Sequence, residues 1–312
     1  MLTHYRLYDL IVASDEDLSL IEVDPDERQP LWRFESGAVG APQGRLVHDV
    51  ADFDGEKRLK VWVGHEGRVW FSHGDTRAVW DSEERLIRLD DGEDRHLGAG
   101  VMLERVVAPI SMMVQRPEHV ALHASAVLGP DGGAWVFVGN SGAGKSTTAL
   151  QLQRRGLPIV ADDLVMIDGG SERLLVATPT VRLFDRPDRV PEAVEHRPVL
   201  AGRNKFWYRL RGTETPPSEV PIRAVVSLQP DRSGEGGDQP PVLERVRGRE
   251  ATVRMVGQAF DLTEADADWR AQRFRTLCEL ARNIEVYRLV YRPDDRTDPV
   301  QVRCIAEAIG GL

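Results

Sequence analysis

The sequence predicts an α/β protein with a P-loop core and a β-rich domain ahead of it. Three observations carry this. A glycine-rich loop stands between an apolar strand and a helix, a second apolar strand returns after that helix, and residues 1–98 alternate short apolar runs with turn residues. At 312 residues the chain exceeds a typical single domain, so two domains are expected.

In chain order, residues 1–98 carry the runs Leu31 to Phe34, Leu59 to Val63 and Val69 to Phe71 between Gly, Asp and Pro, a pattern of strands and turns. Residues 99–116 read as a linking helix, because Val101, Leu103, Val106, Val107 and Ile110 recur at helical intervals. The core, 117–312, opens with two strands, Val120 to Leu128 and Ala134 to Val138, flanking the turn Gly129-Pro130-Asp131-Gly132-Gly133. Centring that turn on Asp131 makes paired residue numbers sum to 262, twice 131, and sets His123 opposite Gly139. The helix Thr147 to Arg155 carries Ala149, Leu150 and Leu152 and ends at the capping glycine Gly156. Pro158 to Ala161 then returns as a strand, expected beside Ala134 to Val138 in parallel, with a right-handed crossover.

Strands near Leu174 to Val181 and Arg223 to Gln229 follow. Helices at Glu250 to Phe260 and Trp269 to Asn283, the strand Glu285 to Tyr291 and a closing helix complete the core. Three polar stretches interrupt it: Asp185 to Pro198, a candidate lid, and Gly212 to Pro221 and Pro230 to Pro241, read as loops. There is no internal repeat and no heptad pattern.

The loop Gly139-Asn140-Ser141-Gly142-Ala143-Gly144-Lys145-Ser146, followed by Thr147, has the spacing of a nucleoside-triphosphate cradle in the strand-loop-helix setting that supports it. Its glycines let successive backbone N–H groups turn toward phosphate oxygens, and the helix N-terminus adds positive partial charge. Lys145 is expected on the β and γ phosphates, and Ser146 on Mg²⁺, which takes oxygen ligands. Asp162 and Asp163 end the returning strand, at the sheet edge where α/β proteins bind ligands. One acid is expected to hold the metal or its water and the other to face an incoming hydroxyl; the pair equally reads as turn-forming aspartates. His123 has two readings, a phosphate or carboxylate partner and a packed strand histidine. The cluster Arg203, Lys205, Arg209 and Arg211, interleaved with Phe206, Trp207 and Tyr208, reads as a phosphate clamp or as a solvated strand face.

Composition narrows the partners. A net charge of −10 argues against nucleic acid held through its phosphates. Met1 to Asp9 has no secretory apolar run, and no stretch approaches the ~20 apolar residues of a membrane helix, so a cytoplasmic protein is expected. Cys278 and Cys304 lack metal-ligand spacing and read as reduced thiols.

Taken together, Leu122-His123-Ala124, the hairpin, Gly139 to Ser146, and Gly156 followed by Val160-Ala161-Asp162-Asp163 resemble, in order and spacing, the HPr serine kinase/phosphorylase family and its shorter bacterial relatives, including kinases of peptide natural-product pathways. The resemblance covers roughly residues 119–167 and, more weakly, Arg273 to Tyr291. It implies the fold shared with phosphoenolpyruvate carboxykinase and a family that often forms homo-oligomers. It further implies that Lys145 binds the transferring phosphate, Ser146 binds Mg²⁺, Asp163 takes the hydroxyl proton, and His123 and Asp162 support the site. The family's Glu-Ile/Val-Arg-Gly-Leu-Gly signature is replaced by Ala177-Thr178-Pro179-Thr180-Val181-Arg182-Leu183, without the glutamate. The resemblance therefore does not extend to the phosphorylase reaction or to HPr as substrate.

The function expected from these readings is transfer of a phosphoryl group from ATP, with Mg²⁺, to a hydroxyl, foremost a serine of a peptide or protein. Two alternatives stay open. One is a small-molecule kinase, since the loop also resembles that of adenylylsulfate kinases; the other is a nucleotide-gated binding or assembly protein. No Leu-Ser-Gly-Gly-Gln helix start is present, which disfavours a transporter ATPase.

Overall fold

A computed structural model describes residues 2–24, 31–51, 58–92, 98–178, 180–183, 190, 193–198, 206–210, 217–231, 241–292 and 300–310. The chain forms two compact units, Met1–His119 with Asp261–Arg273, and Val120–Phe260 with Phe274–Leu312.

Among the described residues the first unit holds nine strands: β1 (Thr3–Leu7), β2 (Leu10–Ser14), β3 (Ile21–Glu22), β4 (Leu31–Ser36), β5 (Arg45–Ala51), β6 (Arg58–Val63), β7 (Arg68–His73), β8 (Thr76–Asp81) and β9 (Leu86–Asp90). They form one sheet in the order β3-β1-β2-β4-β9-β8-β7-β6-β5. A helix follows, made of α1 (Ala99–Met102), a π-helical stretch Leu103–Val107 and α2 (Ala108–Gln115). Read from sequence as a link, this helix packs within the first unit. Its Glu104 carbonyl accepts from the Tyr8 hydroxyl at 2.6 Å, and its Gln115 side chain donates to the Gly67 carbonyl at 3.2 Å.

Residues 261–273, expected in the core, also belong to the first unit. The physical reason is edge pairing: Glu264 N–H donates to Val47 O at 2.9 Å, and Asp49 N–H donates to Thr263 Oγ1 at 3.1 Å. Backbone bonds to a sheet edge leave no apolar signature in the sequence.

The second unit contains β10 (His119–Leu122), β11 (Ala124–Leu128), β12 (Ala134–Val138), α3 (Lys145–Gln153), β13 (Ile159–Ala161), β14 (Val165–Asp168), β15 (Arg173–Leu175), β16 (Thr180–Leu183), β17 (Ala193–Pro198), β18 (Phe206–Leu210), β19 (Glu219–Pro230), β20 (Val242–Val246), α4 (Gly248–Val256), α5 (Ala267–Asn283, begun in the first unit), β21 (Glu285–Tyr291) and α6 (Val300–Gly310). Its main sheet runs β10-β14-β15-β19-β12-β11-β13, with β21 on β19 and β20 on β21, and β16, β18 and β17 form a small separate sheet. Side-chain alternation along β12 divides the core. Ala134, Val136 and Val138 pack with Met255 and Leu280 on one face, and Trp135 and Phe137 pack with Leu150, Leu152 and Ile305 on the other.

The hairpin register is the one read from the turn: Ala124 pairs with Val138 and Leu128 with Ala134, both summing to 262. The returning strand differs from expectation. β13 pairs antiparallel with β11, not with β12, because the hairpin strand β11 occupies the place beside β12. Two antiparallel steps leave β13 running the same way as β12, so both carboxyl ends reach one edge of the sheet.

Strand β14 falls in a stretch not assigned from sequence, and the run from Leu174 to Val181 divides into β15 and β16. In the basic cluster, Tyr208 of β18 is fully buried, while Arg203, Lys205 and Arg211 lie outside the described residues. So do 185–189 and 191–192 of the candidate lid, which ends in β17, along with 212–216 and 232–240 of the two polar loops. No helix among the described residues is long and apolar enough to cross a membrane.

Candidate active site

The loop between β12 and α3 is shaped by backbone that only glycine adopts cheaply. Gly139 has φ +152°, and a Cβ there would lie 2.7 Å from the Leu228 carbonyl oxygen. Gly144, at φ +80°, caps α3, where a Cβ would meet the Tyr291 hydroxyl at 3.2 Å. Lys145 is buried and its ammonium donates to the loop's own carbonyls, Gly139 O at 2.8 Å and Asn140 O at 3.4 Å. Asn140, Ser141, Gly142 and Thr147 are exposed, Ser146 half-buried and Ala143 buried.

Tyr291 of β21 is a residue supporting the loop that the sequence reading missed. Its buried hydroxyl donates to the Ala143 carbonyl at 2.6 Å. β21 runs parallel to β19, and β19 parallel to β12, so the last residue of β21 arrives at the loop's edge of the sheet. Strand direction was the signal that placed it.

The two aspartates after β13 have opposite surroundings. Asp162 is completely buried. Its Oδ1 accepts from the Ser125 hydroxyl, its Oδ2 from Arg182 N–H at 2.7 Å, and the carboxylate also accepts from the Ser146 hydroxyl. Burial, and secondarily the Asp163 charge, holds the Asp162 carboxyl above the usual 3.8, with the three hydrogen bonds opposing. Asp162, expected from sequence at the metal, is an enclosed carboxylate that holds the Ser146 hydroxyl.

Asp163 is partly exposed and sits at φ +69°, the left-handed region that Asp tolerates better than most residues. Its Oδ2 is 2.6 Å from Arg182 Nη1. The exposed His123 places Nδ1 2.9 Å from the Asp163 carbonyl oxygen and 3.9 Å from Oδ1. A carbonyl only accepts, so Nδ1 carries a proton. Strained backbone beside an acid, an imidazole and a guanidinium is a recurrent feature of reactive sites.

His123, Lys145, Ser146, Asp163 and Arg182 line one cleft of about 410 Å³, with Ser141, Gly142, Gly144 and Thr147 of the loop. Arg182 was quoted from sequence only for its neighbours; its role is visible once β16 lies beside the aspartates.

No family model matches the chain, and no curated protein matches it in sequence. Among solved structures it is similar to the HPr(Ser) kinase/phosphatase from Coxiella burnetii, at 13% identity and a TM-score of 0.31, over 61% of this chain and 87% of that one. The likeness is weak and assigns the chain to no family.

The cleft itself fits a triphosphate: glycine backbone too tight for a side chain, a buried ammonium on loop carbonyls, and a helix N-terminus. Among the described residues no group of three or more His, Cys, Asp and Glu side chains could hold a metal. The donor set suits Mg²⁺ shared with phosphate oxygens and water, with the Ser146 oxygen as the protein ligand.

Proposed function

We propose that this protein is a kinase that transfers the γ-phosphoryl group of ATP to a hydroxyl, with a serine of a peptide or protein as acceptor. The observation that carries the reading is convergence. The loop cradle with Lys145 and Ser146, and the acid Asp163 with His123 and Arg182, face the same cleft. Phosphoryl transfer asks chiefly for positioning and charge neutralisation, and these residues supply both.

On this reading Lys145 exchanges the loop carbonyls for phosphate oxygens. Bound Mg²⁺ would neutralise charge between the β and γ phosphates. Ser146 is the residue to hold it, its hydroxyl proton being turned to Asp162. The Asp163 carboxylate takes the acceptor's proton as oxygen attacks the γ phosphorus and the bond to the β-bridging oxygen breaks. His123, through its proton on Nδ1, fixes the Asp163 backbone.

The test is incubation with γ-labelled ATP and Mg²⁺ against serine peptides and, separately, small alcohols. Asp163→Asn is expected to lower transfer by ~10²-fold or more, the usual range for losing a general base, while ATP affinity stays nearly unchanged. Near-full transfer by that variant would remove Asp163 from the chemistry. Unchanged ATP affinity in Lys145→Ala would contradict the phosphate cradle.

A further inference from the structure

We infer that the base and ribose of the nucleotide occupy a second cleft beside the loop, walled by the end of β19 and by α4, and not the cleft that contains Asp163. The inference rests on the kinase reading above and assigns its two substrates to opposite sides of the loop.

Both clefts border the same loop. The first is lined by Ser141, Gly142 and Gly144 to Thr147; the second, of about 1010 Å³, reaches it through Gly139, Asn140, Ser141 and Ala143. At about 410 Å³ the first cleft is near the lower end of the roughly 300 to 1,000 Å³ that one drug-sized ligand fills. It has to receive the transferring phosphate and the acceptor hydroxyl together, because Asp163 lines it. A nucleoside in the same space would displace the acceptor.

The second cleft has the room, and it lies at the carboxyl ends of the parallel neighbours β12 and β19, where α/β sheets bind ligands. Its walls also have the chemistry. Pro230 and Val253 give apolar surface, and Val253 is 61% exposed. Beside them, Arg254 donates to Ser227 Oγ at 3.1 Å and to Glu250 Oε1 at 2.6 Å. An apolar face next to an ordered hydroxyl and carboxylate matches a heteroaromatic base joined to a diol-bearing sugar, the carboxylate being a usual partner of ribose hydroxyls.

Two measurements on the full chain test this. Calorimetry compares Mg-ATP with Mg-tripolyphosphate, which has no nucleoside, for wild type and Val253→Glu. The variant is expected to lose about tenfold or more in ATP affinity while tripolyphosphate stays within about twofold. ATP affinity unchanged in the variant overturns the inference.

Photolabelling of the wild type with an azido-adenine analogue of ATP needs no variant, and decides the matter if Val253→Glu loses both ligands. Label is expected on Gly248–Val256; label on Lys145–Gln153 of α3 instead overturns it. Failure of the kinase reading looks different: wild type would then bind neither ATP nor tripolyphosphate, or would bind ATP and transfer its phosphate to no acceptor.

Discussion

Arg182 binds both acids of the pair at once: its Nη1 is 2.6 Å from Asp163 Oδ2, and its backbone N–H is 2.7 Å from Asp162 Oδ2. One residue of β16 thus fixes the partly exposed carboxylate by charge and the buried one by backbone. In Arg182→Gln that carboxylate loses the partner that fixes its orientation. The expected result is a transfer rate lower by about tenfold or more. A wild-type transfer rate in that variant would show that the pair does not position the base.

Tyr291→Phe isolates the bond that pins the loop. The ring remains to fill its site, while the Ala143 carbonyl loses the donor now 2.6 Å away. A buried hydrogen bond contributes about 0.5–1.5 kcal/mol net, so a comparable loss is expected in chemical denaturation. Nucleotide affinity should fall by roughly threefold to tenfold, because a looser loop must be ordered on binding. Wild-type affinity together with lost stability would confine Tyr291 to the fold.

Much of this site was legible because short-range signals place it. Turn chemistry at Gly129 to Gly133 set the hairpin register over Ala124 to Leu128, whereas His123 stands at the break between β10 and β11, where its N–H donates to Gln258 O at 2.8 Å. Glycine spacing marked the loop, and the apolar run ending at Ala161 marked the position of Asp162 and Asp163. Whatever depended on strands distant in sequence was hidden. Insertion of β11 between β12 and β13, the arrival of Tyr291 from β21 and of Arg182 from β16, and the pairing of 263–264 with β5 are set by sheet order. Hydrophobic periodicity specifies which face of a strand is buried and says nothing of its neighbour. The division of labour between the aspartates was hidden for a related reason: burial of Asp162 depends on Ser125 and β16, neither adjacent to it in the chain.

The buried Asp162 predicts a pH signature of stability. Its carboxyl is held above 3.8 by burial first and the Asp163 charge second, so between the unfolded value and the raised one the folded state binds more protons than the unfolded state. The contribution of this group therefore favours folding in acid and is lost as pH rises from 3.8 through the folded value. Asp162→Asn lacks this titration. Denaturation midpoints of wild type and variant, measured from pH 3.5 upward, should change in wild type's disfavour as pH rises; a constant difference would exclude the titration. Wherever the two midpoints start, only their relative slope bears on the prediction, since Asn also disturbs the bonds from Ser125 and Ser146.

In the first unit, His48 predicts the opposite dependence. The ring is buried, its Nδ1 accepts from Thr263 N–H at 3.3 Å, and burial lowers its pKa from 6.5 against the raising influence of Asp261, Asp49 and Glu264. Protonation would place a hydrogen on Nδ1 and oppose the Thr263 donor, so the residues 263–264 that cover the edge of β5 lose an anchor. Because the unfolded state binds more protons below 6.5, the stability contributed by neutral His48 is present above that value and is lost as pH falls toward the lowered folded value. Hydrogen exchange, corrected for intrinsic rates, should show protection at Thr263 and Glu264 falling between about pH 7 and 5 in wild type. His48→Gln keeps a side-chain acceptor that does not titrate, and its protection there should be flat over the same range. Equal acid sensitivity in the two proteins would assign the loss to the carboxylates around the ring instead of the imidazole.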